Sequence, residues 1–150
     1  MKRYTVEKDW DHTGLKCVVI MGHMGFRCGY VGISKEHPLY GVEYSDNPDF
    51  LKPLLEKVRN GPVGERGIIS ILCWDGESVS PEILFSVHGG ITYSDGGVNS
   101  DYPIQSDLWW FGYDCGHAGD NNLSLEYCCG ECEQLAEQLI ELVGRKNNDM

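Results

Sequence analysis

The last part of the chain carries the pattern that most constrains its fold. From Leu125 onward the apolar positions Cys128, Cys132, Leu135, Leu139 and Val143 recur at steps of four, three, four and four residues. Such steps place side chains on one stripe of an amphipathic helix. Ser124 or Asn122 can cap its start and Gly144 can end it, so a helix is expected over 124–143. Glu131, Glu133, Glu137 and Glu141 fall off the stripe and are expected in water. Gly130 is unfavourable inside a helix, which suggests close packing at that point.

The residues before this helix read mainly as strands. CVVIMGH (17–23) and FRCGYVGI (26–33) are β-rich runs separated by Met24 and Gly25. That spacing suggests a hairpin in which Gly25 takes a positive φ. HPLYG (37–41) is a turn by its proline and glycine. DNPDFLKPLLEKVR (46–59) suggests a short helix with Pro53 inside it, and NGPVGERG (60–67) a loop. IISILCW (68–74) and EILFSVH (82–88) have strand length, with DGES (75–78) as the turn between them. YSDGGVNSDYPIQSD (93–107) is polar and aperiodic, and reads as a long loop that could form a rim or lid. LWWFGYD (108–114) is then a strand. Its alternation puts Trp109, Phe111 and Tyr113 on one face, and Trp110, Gly112 and Asp114 on the other. Strands followed by one terminal helix predict a single α+β domain over 1–150, a mainly antiparallel sheet with the helix packed on one face.

Charge narrows the function classes. Twelve basic and 23 acidic residues among 150 give a net charge of −11. From Gly67 to Gly144 there is no Lys or Arg, while thirteen Asp and Glu fall there. A nucleic-acid binder needs a basic face to displace counterions, so nucleic acid is not an expected partner. Anionic membranes are disfavoured for the same reason. No apolar run has the ~18 residues of a membrane helix. The opening MKRYTVEKDW has no apolar core of a secretory leader, so a cytoplasmic location and reduced cysteines are expected. The acidity has two readings, a solvated surface or a polyanion mimic that blocks a host factor's binding groove.

Two short segments carry the groups suited to chemistry. In HGGIT (88–92), His88 follows a strand, and Gly89 and Gly90 allow a tight turn or a close approach to a ligand. The bland reading is a turn with a surface histidine. In DCGHAGD (114–120), Asp114, Cys115, His117 and Asp120 lie within seven residues. A Cys–His pair is suited to nucleophilic attack. It also suits metal: Cys115, His117 and two of Cys128, Cys129 and Cys132 would complete a tetrahedral zinc set. Cys128 and Cys132 already lie on the apolar stripe, however, where a buried thiol packs as a small apolar group. Packing is therefore the expected role, and neither a bound metal nor a cofactor is expected. Trp109, Trp110, Phe111 and Tyr113 flank this polar cluster, and Tyr93 follows the glycine turn; aromatic faces of this kind stack on planar groups. The expected ligand site comprises His88, Gly89, Gly90, Thr92, Tyr93, Trp110, Asp114, His117 and Asp120. The competing expectation is that Asp114 and His117 only tie the turn to the sheet.

CGYVGI…HPLYG (28–41), VHGGIT (87–92), WWFGYDCGHAGD (109–120) and ECEQLAEQL (131–139) occur in that order and together resemble a family of small uncharacterised phage and prophage proteins. The resemblance covers most of the chain after residue 26. Its blocks carry Cys115 and Cys132, whereas Cys128 and Cys129 are additional here. It implies a phage-encoded accessory protein of the host cytoplasm and supplies no mechanism. Three functions are compatible with these residues. The first is a pocket that binds and sequesters a small planar ligand, such as a nucleotide-derived signal of host defence. The second is a hydrolase that cleaves such a signal with the His, Asp and Cys groups. The third is an acidic protein that blocks a host factor. The oligomeric state is left open, self-association included.

Overall fold

The computed structural model describes residues 4–22, 25–46, 85, 87, 90–96, 103–104, 106–114 and 124–148, with side chains to Val143. Among them, five strands form an antiparallel sheet: β1 (Tyr4–His12), β2 (Leu15–Gly22), β3 (Arg27–Ile33), β4 (Tyr93–Gly96) and β5 (Trp109–Asp114), in the spatial order β1-β2-β3-β5-β4. One helix, α1 (Leu125–Asn148), packs across β2 and β3. The architecture is α+β, as the order of strands and terminal helix predicts.

The β2–β3 hairpin forms where the apolar runs place it. Gly25 has a φ of 89°, and its amide donates to the Gly22 carbonyl at 3.1 Å. The partner hairpin, β1–β2, has no such signal in its first strand, because YTVEKDWDH is too polar to stand out. It closes through Thr13 and Gly14, both at positive φ (54° and 85°), as a two-residue turn of this hand requires.

β1 also contains a bulge at Glu7: Val6 pairs with Ile20, but Lys8 pairs with Val19. One inserted residue exchanges the faces of everything after it. Tyr4 and Val6 therefore pack on the face opposite α1, whereas Trp10 packs on the helix side. Once there, the Trp10 indole donates to Glu133 of α1 at 3.1 Å.

The sheet is covered on both faces. On the α1 side, Cys17, Val19, Val31, Ile33, Phe111 and Tyr113 meet Cys128, Cys132, Leu135, Ala136, Leu139 and Leu142. On the other side, Val18, Ile20, Tyr30 and Trp110 form a second cluster, covered in part by Ile104 and Leu108. Two hydrogen bonds hold that cover, from Tyr4 Oη to the Pro103 carbonyl at 2.8 Å and from Trp110 Nε1 to Ser106 Oγ at 3.1 Å.

Several expectations need correcting. The loop expected at 93–107 begins with β4, whose Tyr93 and Gly96 pair with Gly112 and Trp109; the polar sequence of an edge strand concealed it. Gly144 does not end α1, which continues to Asn148. The stripe turns through Leu142, which is buried, rather than Val143, since the helical repeat of 3.6 favours a step of three there. Gly130 is not a site of close packing, because a Cβ built on it meets nothing within 4 Å. Glu131, Glu133 and Glu141 are half-buried rather than in open water. The expected helix at 46–59, loop at 60–67 and strand at 68–74 lie outside the described residues apart from Asp46; of the run 82–88, Phe85 and Val87 belong to the α1-side core.

Candidate functional site

The candidate site begins with the end of β5. Asp114 closes that strand opposite Cys28, the second residue of β3. On the other side of β5, Tyr93 pairs with Gly112, and the Thr92 amide donates to the Gly112 carbonyl at 2.9 Å. The chain immediately before β4 thus runs beside the last residues of β5. Gly90 donates its amide to the Val87 carbonyl at 2.8 Å and has a φ of 82°, a conformation that favours glycine. Residues 90–92 consequently lead into β4 at the same end of the sheet at which Asp114 closes β5. His88, Gly89, Cys115, His117 and Asp120 lie outside the described residues.

The start of α1 lies near this sheet end as well. Tyr113 Oη donates to the Cys128 carbonyl in the first turns of the helix and lies 3.7 Å from Cys132 Sγ. Ser124 Oγ accepts from the Tyr127 amide at 3.0 Å, the cap expected from sequence. Arg27 precedes Cys28 on β3, but its Nε is paired with Glu7 Oε1 at 2.6 Å.

The expected residues separate into two groups. Gly90, Thr92 and Asp114 gather at the sheet end, with Thr92 exposed and Asp114 half-buried. Trp110 does not join them. It shares a face with Asp114 but lies four residues back along the strand, about 13 Å at 3.3 Å per residue. Trp110 has no exposed surface and sits within the second core. Alternation along β5 identifies its two faces correctly. It cannot reveal that the second face is covered, because alternation sets only side-chain direction, and the cover depends on how Ile104 and Leu108 fold over that face. Tyr93 is half-buried, and its ring meets the edge of Tyr30 at a centroid distance of 5.4 Å.

The glycines of these strands also have a structural use. A Cβ on Gly29 would lie 2.5 Å from Tyr113 Oη, and one on Gly112 would lie 2.5 Å from Tyr30 Cε1. Gly29 pairs with Tyr113 and Gly112 with Tyr30 on adjacent rungs of the β3–β5 ladder. Each ring occupies the space above the opposite glycine, on opposite faces of the sheet. The rings and glycine of WWFGY are thus accounted for by packing, and the chemical question passes to Asp114 and the segment after it.

Four of the described thiols are poor nucleophiles. Burial raises the Cys17 thiol to about 12 and the Cys28 thiol to about 11, with the Asp114 carboxylate adding to the effect at Cys28. Burial likewise raises Cys129 and Cys132. The nucleophile is the deprotonated thiolate, so these sulfurs remain unreactive near neutral pH. Cys128 and Cys132 sit in the core as the apolar stripe predicts. Cys73 and Cys115, the latter paired with His117 in the sequence reading, lie outside the described residues.

Sequence reasoning passed over two buried polar residues among those described, Gln138 and His37. His37 is 7% exposed; its Nδ1 accepts from the Leu39 amide at 3.1 Å, which assigns the proton to Nε2 and makes that atom the donor to the Leu139 carbonyl at 2.9 Å. Its pairing with Pro38 and Gly41 read only as a turn. A second tie joins β1 to α1, where His12 Nε2 lies 2.7 Å from Glu137 and Nδ1 3.5 Å from Glu133.

No helix among the described residues is long and apolar enough to cross a membrane. No family model, curated protein or solved structure matches the chain.

Proposed function

We propose that this chain binds a small planar ligand at the sheet end where residues 90–92 lead into β4 and Asp114 closes β5. The observation that carries the reading is the pairing of β4 with β5, which brings Thr92 and Gly90 alongside the end of β5 at Asp114. Convergence of a few polar groups beside an apolar core is a common property of small-molecule sites. The residues we assign to the ligand are His88, Gly89, Gly90, Thr92, Asp114, His117 and Asp120, of which Gly90, Thr92 and Asp114 are described. Trp110 has no part in this site, and Tyr93 borders it.

The ligand class we propose is nucleotide-derived. The setting is that of a phage-encoded accessory protein in the host cytoplasm, which sequesters a signal of host defence. This part of the reading rests on the resemblance of the sequence blocks. With Arg27 engaged by Glu7 and the Gly90 amide donating to Val87, phosphate recognition would fall to the Gly89 amide, the amides at the start of α1, Lys35 or Arg66.

The test is to denature purified protein and identify by mass spectrometry any small molecule released, then to measure binding of a panel of mono-, di- and cyclic nucleotides. His88→Ala and His117→Ala should abolish binding with the melting temperature nearly unchanged. Loss of several degrees in both variants would make the cluster scaffold and overturn the proposal. Recovery of the nucleotide intact supports binding; recovery of a cleaved product would replace it with a hydrolytic role.

A further inference from the structure

We draw no further inference here: the strongest candidate, the side-chain cluster in which Trp10 and His12 of β1 meet Glu133 and Glu137 of α1, carries nothing because its polar groups pair with one another as a tie between strand and helix, and no second observation there points to a metal or ligand.

Discussion

Tyr113 fills the space that a side chain on Gly29 would occupy, and its hydroxyl reaches over to the Cys128 carbonyl of α1. One ring therefore joins β3, β5 and the helix. One rung away, Tyr30 covers Gly112 on the other face. The arrangement predicts that Gly29→Ala and Gly112→Ala each destabilise by about 1–3 kcal/mol, the usual cost of overpacking. Tyr113→Phe keeps the ring and loses the hydrogen bond, at about 1 kcal/mol. Urea denaturation measures all three, and wild-type stability in Gly29→Ala would show that the ring is not held against this strand.

The buried side of α1 separates sharply from its exposed side at two consecutive residues. Leu139 is fully buried, whereas Ile140 is 38% exposed. Leu139→Asp combines a lost leucine with a buried unpaired charge and should cost several kcal/mol, about 3 or more. Ile140→Asp should lie within about 0.5 kcal/mol of wild type, as surface changes usually do. Similar denaturation midpoints for the two variants would contradict the orientation of the helix.

Gly130 offers a change in the opposite direction. A methyl group there meets open space, so Gly130→Ala adds no clash and removes the backbone freedom of glycine. The expected gain is about 0.5–1 kcal/mol. A raised melting temperature in calorimetry would agree; a fall would restore the close packing that a glycine inside a helix first suggests.

His37 ties stability to pH. Burial holds its imidazole below the ordinary value of 6.5, although the hydrogen bond to Leu139 opposes the shift. The folded protein therefore resists protonation more than the unfolded chain does. Its contribution is fully present above 6.5 and is lost as pH falls through the depressed folded value. The urea midpoint should fall on moving from about pH 7 to about pH 5, the range in which histidine ordinarily titrates. His37→Gln should flatten that part of the profile, and an unchanged slope would assign the acid sensitivity to other groups.

Local periodicity determined the elements whose partners are near or whose pattern is strong. The stripe through Cys128, Cys132, Leu135 and Leu139 specifies α1 because a helix repeats its own geometry along the chain. The β-rich runs around CVVI and CGYVGI likewise specify two central strands, and the alternation in WWFGYD a third with its two faces. Tertiary structure alone decided what lies over those faces. β1 became legible only through its pairing with β2, and its bulge, invisible in YTVEKDWDH, sent Trp10 to the helix side. β4 is too short and polar to signal itself, yet its register with β5 brings the glycine turn toward Asp114. Trp110 could be assigned a face but not an environment, since burial depends on Ile104, Leu108 and Tyr30 arriving from elsewhere in the sheet and its cover. Side-chain direction is a property of local backbone, whereas exposure is a property of the assembled fold, and the candidate site depends on both.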